Sequence, residues 1–326
     1  MLLAFGAIIL GLVLLVWSAD RFVEGASSLA SHLGVSPLII GITIIGFGTS
    51  APEILVSIIA VMEDTPDIAI GNALGSNIAN IGLILGVTAF IMPIPIAKGL
   101  FRREYPLLII ATTILAWCLF DGKLDQIDGL ALILTLVAIL VYLVKSHRKD
   151  SANNRIEEEL SETIPKDMTL LTALVWIAVG LILLVGSSKL LVWGATDIAI
   201  ALGVSKLIIG LTVIALGTSL PELAASIASL KKGVPDMAIG NVIGSNLFNS
   251  LAVIGLPALM TNFSFDPNAV SRDLPVVGGL TILLLCYSRF PASATQSLSR
   301  LKGLSLLTCF VIYQVYLYTV VMAGNT

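Results

Sequence analysis

Two glutamates stand where glutamate is costly. Glu53 lies in GITIIGFGTSAPEILVSIIA (41–60) and Glu222 in GLTVIALGTSLPELAASIAS (210–229). A carboxylate inside an apolar segment marks a functional position by default. Thr49 precedes Glu53 by four residues, so the two share a helix face, and Ser50 follows Thr49. Thr218 and Ser219 repeat the arrangement before Glu222. Pro52 and Pro221 each lack a backbone donor and crowd the carbonyl one turn back, near Gly48 and Gly217. The prolines therefore predict a helix break near 48–52, just before Glu53, and again at the equivalent place before Glu222, with carbonyl oxygens left free. Irregular backbone at membrane depth persists only inside protein or along a cavity. Carbonyl, hydroxyl and carboxylate oxygens make a site for a hard cation such as Na⁺, Ca²⁺ or Mg²⁺; soft metals would want sulfur or imidazole.

A second cluster follows each first. GNALGSNIAN (71–80) contains Ser76 and Asn80, one turn apart, and GNVIGSNLFN (240–249) contains Ser245 and Asn249. Subtracting 169 carries every position of the later copy onto the earlier one. Over 41–86 against 210–255 the alignment is gapless, with 21 identities in 46 positions. Gly75 and Gly244 are weaker candidates for breaks, because no proline accompanies them. Small residues at helical spacing also serve close packing of membrane helices, and for the serines and asparagines alone that is the stronger reading. Asp67 and Asp236, each after a proline at a span start, fit helix N-capping. Co-occurrence of two carboxylates, two Thr-Ser pairs and two prolines favours an ion site.

The elements that must position these groups are membrane spans. Charged residues are 12% of the chain and hydrophobic residues 57%, whereas a soluble domain carries about 25% charge. Ten apolar spans are predicted, at 4–29, 37–62, 67–92, 104–121, 126–145, 169–199, 206–231, 236–261, 274–289 and 303–322. The first lacks the basic start of a cleavable signal. Of 18 Lys and Arg, 13 fall in loops on one side, 3 on the other, and Arg21 and Lys189 within spans. The richer side is cytoplasmic by the positive-inside rule, which puts both termini outside. A net charge of −3 and a pI near 5.4 give no reason to expect a nucleic-acid partner. Cys118, Cys286 and Cys309 lie in apolar runs and read as buried small hydrophobes. His32 and His147 read as solvated.

The repeat reaches further: 15–36 aligns without a gap on 184–205. The unit is thus five spans, and two odd units in series must have opposite orientations, the inverted repeat of transporters with sites near the midplane. The expected architecture is an all-α polytopic membrane protein, with ten transmembrane helices in two inverted five-helix repeats and broken helices 2, 3, 7 and 8 at the centre. The organisation is 1–145 first repeat, 146–168 cytoplasmic linker, 169–326 second repeat. The linker is too short for a folded domain; a surface helix over 154–162 is an option.

GTSAPE/GTSLPE together with GNALGSNIAN/GNVIGSNLFN resemble the α-repeats of the cation/calcium antiporter superfamily, the sodium/calcium exchangers, over essentially the whole chain. The resemblance implies alternating access in a cell or inner membrane, with ions held between spans 2, 3, 7 and 8 and spans 1 and 6 sliding across them. Glu53 and Glu222 would be shared between Ca²⁺ and Na⁺. Thr49 and Thr218 would serve Ca²⁺, while Ser50, Ser76, Ser219 and Ser245 would complete Na⁺ sites. Asn80 and Asn249 would line the middle. Some family members have aspartate at the position of Asn249. An amide cannot ionise, so this site has at most two negative charges, which one Ca²⁺ neutralises. Ca²⁺ and Na⁺ are cargo, and no cofactor is expected. A single chain in a lipid bilayer suffices for function. Ca²⁺/H⁺ or other cation/H⁺ exchange is the alternative within the class. A cation channel or an intramembrane protease fits less well: channels usually surround an axis with identical subunits, and two glutamates in Gly/Thr/Ser/Pro settings suit ions rather than catalysis. The chain is not read as an enzyme.

Overall fold

The computed structural model describes residues 1–96, 100–151, 168–202, 215–289 and 297–324. The described chain is almost wholly helical. Helix α1 spans Leu2–Leu33, α2 Pro37–Met62 and α3 Pro66–Ile91. Helix α4 spans Leu100–Cys118 and α5 Gln126–Ser151. In the second half α6 spans Leu170–Ala201, and α7 is two pieces, Ala215–Thr218 and Leu220–Lys231. Helix α8 spans Pro235–Met260, α9 Pro267–Arg289 and α10 Arg300–Gly324. The option of a helix over 154–162 lies outside the described residues, as do most of the linker and the start of the seventh span.

Among the described residues, eight helices are long and apolar enough to cross a membrane: α1, α2, α3, α5, α6, α8, α9 and α10. The expectation of ten differs at two places. Helix α4 opens with Arg102, Arg103 and Glu104, and α7 is described only from Ala215.

Helix α8 is the axis of the molecule and is buried along almost its whole length. Its glycines explain how. A Cβ on Gly244 would lie 2.3 Å from the carbonyl oxygen of Ile42, and one on Gly240 would lie 2.5 Å from that of Leu38. The α8 backbone therefore lies directly on α2, which only glycine permits. Long β-branched and aliphatic side chains from α3, α4, α5 and α10 then close around it in one continuous core.

Helices α1 and α6 pack along one another by the same device. A Cβ on Gly25 would lie 2.7 Å from Ala173 O, and one on Gly194 2.7 Å from Ala4 O. Residue 25 thus meets 173 while 194 meets 4, so the two helices run antiparallel. Gly25 and Gly194 are themselves equivalent, 169 residues apart.

Two short ribbons tie the helix ends together. Strand β1 (Ile94–Pro95), between α3 and α4, pairs antiparallel with β4 (Ser297–Leu298), between α9 and α10; Ile94 faces Leu298. Strand β2 (Lys123–Leu124), between α4 and α5, pairs antiparallel with β3 (Phe263–Ser264), between α8 and α9; Leu124 faces Phe263. The α3–α4 and α8–α9 connections occupy equivalent places in the two halves, yet they join ribbons at opposite ends of α4.

Four local expectations are corrected. Helix α2 does not break at 48–52: Gly46–Met62 is continuous α-helix with Pro52 inside it. The irregularity lies earlier, as a π-helical turn over Gly41–Ile45. One missing N–H frees one carbonyl, which does not oblige a buried helix to end, and the hydroxyls of Thr43 and Thr49 bond back to Ile39 O at 2.6 Å and Ile45 O at 3.1 Å. Helices α3 and α8 do not break at Gly75 or Gly244. Helix α3 instead turns π-helical over Asn80–Leu85, and α8 is uninterrupted α-helix. Asp67 makes no cap for α3; its Oδ1 accepts the Asp266 N–H at 2.7 Å, joining the first turn of α3 to the β3–α9 connection. Of the cysteines Cys118 is buried, but Cys286 is exposed, on a helix face turned outward.

The helix interruption predicted in the seventh span does occur. Ser219 sits between the two pieces of α7, outside helical geometry with ψ near 1°. Pro221 cannot donate to Gly217 O, and the Ser188 hydroxyl of α6 donates there instead, at 2.7 Å. In the first half the position equivalent to Ser188 is Ala19, which has no hydroxyl to offer.

Candidate cation site

Helices α2, α3, α7 and α8 bring the expected residues to one buried region. Thr49, Ser50 and Glu53 on α2 are buried, as are Ser76 and Asn80 on α3. Ser219 and Glu222 on α7 and Ser245 and Asn249 on α8 are buried too. Thr218 is half-buried. The crossing of α2 on α8 accounts for the meeting of the halves: Thr49 Oγ1 lies 3.3 Å from Ser245 Oγ and 3.2 Å from Asn241 Oδ1. Glu222 is close enough to Glu53 for the two charges to repel and close enough to Thr49 for hydrogen bonding.

The site is rich in unsatisfied polar atoms. Among the described residues, Ser50 Oγ, Glu53 Oε2 and Glu222 Oε2 are buried without a hydrogen-bond partner. So are Asn77 Oδ1, Asn246 Oδ1, Asn80 Nδ2 and both amide atoms of Asn249. Buried polar groups nearly always find partners, and each exception calls for an explanation. Orphaned oxygens beside two carboxylates are groups that a cation would satisfy; the orphaned amide nitrogens of Asn80 and Asn249 are donors and would not be met by it. No three His, Cys, Asp or Glu side chains converge among the described residues. A cation held here must therefore draw most of its ligands from Ser, Thr, Asn and backbone oxygens, which suits hard alkali and alkaline-earth ions.

Beside this region a cavity of about 420 Å³ opens between α2, α6 and α7. Its walls are mainly aliphatic, and Pro52, Pro221, Gly217 and Thr218 bring both proline motifs to it, with Ser188 and Lys189 from α6. The half-buried state of Thr218 follows from this opening.

Several polar residues of the site escaped the sequence reading. Asn72 donates to Glu53 O and to Ser57 Oγ, each at 3.0 Å. Asn241 does the same to Glu222 O and Ser226 Oγ, each at 3.0 Å. Asn77, by contrast, belongs to the cluster GNALGSNIAN that the sequence singled out, and it donates to Ser250 Oγ at 3.0 Å. The available signal was identity between the copies: Asn72 and Asn241, and Ser57 and Ser226, are matched pairs of the duplicated stretch.

Comparison with known proteins agrees with this geometry. The model of the family described as sodium/calcium exchanger protein matches residues 3–145 and 172–319. A protein of Alkalimonas amylolytica that carries the name antiporter CaxA is 44% identical, over 98% of this chain and 100% of its own. The inner membrane protein YrbG of Escherichia coli K12 is 42% identical, over 98% of each chain. Among solved structures, the sodium-calcium exchanger NCX_Mj soaked with Na⁺ and Ca²⁺ superposes with a TM-score of 0.80 at 33% identity, covering 96% of this chain and 97% of that one. A helical bundle that buries two carboxylates among hydroxyl and amide oxygens, matched by the family model in both halves, makes this chain a member of the sodium/calcium exchanger family.

Proposed function

We propose that the protein is a secondary antiporter that exchanges Na⁺ for Ca²⁺ across the cell membrane by alternating access. One observation carries this reading: Glu53 and Glu222, from different halves, are buried close enough for their charges to interact, and each keeps an unpartnered oxygen. The match to the sodium/calcium exchanger family and the likeness to NCX_Mj soaked with Na⁺ and Ca²⁺ support it. In this reading Glu53 and Glu222 are shared by both ions. Thr49 and Thr218 serve Ca²⁺, Ser50, Ser76, Ser219 and Ser245 serve Na⁺, and Asn80 and Asn249 line the centre.

The architecture in this reading is ten spans in two inverted repeats, 1–145 and 169–326, joined by 146–168. The antiparallel packing of the equivalent helices α1 and α6 supports inversion, and so does the placing of equivalent connections at opposite ends of α4. Both termini face outward and the linker is cytoplasmic, in line with the distribution of Lys and Arg. Two carboxylates in a poorly solvated site need compensating charge. Ca²⁺ supplies two positive charges at once. Na⁺ ions supply the same charge piecewise, so the two cargoes exclude one another.

The experiment is uptake of radiolabelled Ca²⁺ by proteoliposomes loaded with Na⁺. An outward Na⁺ gradient should drive accumulation, and Glu53→Gln or Glu222→Gln should abolish it. Uptake indifferent to both substitutions would sink the reading. A second reading replaces Na⁺ with H⁺, because a proton relieves repulsion between neighbouring carboxylates as well as Na⁺ does. A pH gradient in the absence of Na⁺ separates the two.

A further inference from the structure

Among the side chains of the duplicated stretch that the ion reading leaves unused is one matched pair of asparagines, Asn72 and Asn241. A primary amide has two donor hydrogens and one acceptor oxygen. Asn72 on α3 directs both donors onto α2, to Glu53 O and Ser57 Oγ at 3.0 Å each. Asn241 on α8 directs both onto α7, to Glu222 O and Ser226 Oγ, again at 3.0 Å each. All three members of the first set lie 169 residues before their counterparts. The carbonyl that receives the bond belongs, in both halves, to the glutamate itself. A carbonyl has two lone pairs, so the amide bond adds to the helix bond and does not displace it. Each amide thus pins the turn from which a carboxylate leaves the backbone.

Asn241 also reaches across the molecule. Its Oδ1 faces the Thr49 hydroxyl of the first half at 3.2 Å. That hydroxyl has Ile45 O as a second acceptor at 3.1 Å. Its single proton serves one acceptor at a time, and its lone pairs remain for the Ser245 hydroxyl at 3.3 Å or for a cation. Asn241 is fully buried, so no water replaces these bonds. Asn72 is half-buried.

We propose that Asn72 and Asn241 are positioning residues of the cation site: each amide sets the depth and direction of one glutamate, and Asn241 additionally orients the Thr49 hydroxyl. The inference rests on the reading of Glu53 and Glu222 as ion ligands. Groups that orient metal ligands are worth about 10–100-fold in affinity or activity.

Aspartate distinguishes a positioning amide from a ligating one. It keeps the size and the acceptor oxygen but has no N–H. A ligating position would gain negative charge and bind Ca²⁺ more tightly. A positioning one would set a carboxylate oxygen against the glutamate carbonyl and push the turn away. The test uses the full chain in proteoliposomes. Half-saturating Ca²⁺ and maximal rate are measured for the native protein and for Asn72→Ala, Asn72→Asp, Asn241→Ala and Asn241→Asp. The shift of the thermal unfolding midpoint on adding Ca²⁺ is followed in parallel. Half-saturating Ca²⁺ should rise about 10–100-fold, with aspartate no better than alanine, the maximal rate falling less and the Ca²⁺-induced shift shrinking. Unchanged half-saturation in folded alanine variants, or tighter Ca²⁺ binding with aspartate, overturns the proposal. If the Asn241 variants fail to fold, the Asn72 pair decides. Ser57→Ala, which removes one of the two Asn72 acceptors, must then move half-saturation in the same direction by a smaller factor. Native protein with neither Ca²⁺ flux nor a Ca²⁺-induced shift would instead remove the exchanger reading, and this proposal with it.

Discussion

Asn249 is buried at the candidate site, and among the described residues both its amide atoms lack partners. It is therefore the residue at which a third charge enters the site most directly. Asn249→Asp should raise the apparent affinity for Ca²⁺ at neutral pH, because a divalent ion then meets three negative charges. The gain should disappear as the pH falls far enough to protonate the new carboxylate, since a neutral acid returns the site to two charges. Titrations of Ca²⁺-dependent thermal stability at two pH values check both statements. The opposite change belongs to the glutamates. Glu53→Gln or Glu222→Gln keeps the shape and removes one charge, and exchange should cease in the flux assay. These residues were legible in the sequence because a lone carboxylate in an apolar run has few structural excuses. Asn72 and Asn241 were less legible, since an amide in a membrane helix packs, hydrogen-bonds or ligates with the same residue type. Only their partners tell these roles apart.

At the scale of elements, α7 and α2 respond differently to the same Gly-Thr-Ser-x-Pro-Glu pattern. Helix α2 runs through Pro52, whereas α7 is interrupted at Ser219. The second half has Ser188 to satisfy the carbonyl that Pro221 leaves open, and the first half has Ala19 in that position. Ser188→Ala should leave Gly217 O unsatisfied in a buried setting, at a cost of about 1–3 kcal/mol. A lowered thermal midpoint in detergent is the expected result. The α2–α8 crossing makes a sharper prediction. At Gly244 a methyl group would sit 2.3 Å from the carbonyl oxygen of Ile42. Backbone cannot yield as a side-chain tip does, and overpacking of this kind costs about 1–3 kcal/mol or more. Gly244→Ala should therefore reduce both the thermal midpoint and transport, because the same crossing brings Thr49 to Ser245. Gly71→Ala, in the equivalent half of the motif, is the comparison: its added methyl meets no described atom within 4 Å, and its effect on the midpoint should be smaller.

For the whole molecule, the offset of 169 residues, the long apolar runs, the loop charges and the carboxylates in apolar segments are all readable from the chain, because each is a property of local composition and order. An inverted arrangement is what an odd repeat unit predicts without coordinates. The distribution of Lys and Arg predicts that tags at both termini are cut by protease added outside intact cells, while a site engineered into 146–168 is protected; cleavage of the linker with sparing of the termini would reverse the orientation. Tertiary structure alone decided where the helices deform. Proline marks a lost hydrogen bond, but whether a helix breaks there depends on what its neighbours offer the freed carbonyl. A glycine in a membrane helix is equally ambiguous until a second backbone is seen to lie against it, as that of α2 does at Gly240 and Gly244. The pairing of Thr49 with Asn241 and Ser245, across nearly 200 residues of sequence, likewise follows from that crossing. Sequence determined which groups a cation would need; packing of the two halves determined which of them meet, because distance between residues remote in the chain is set by backbone contact and not by spacing.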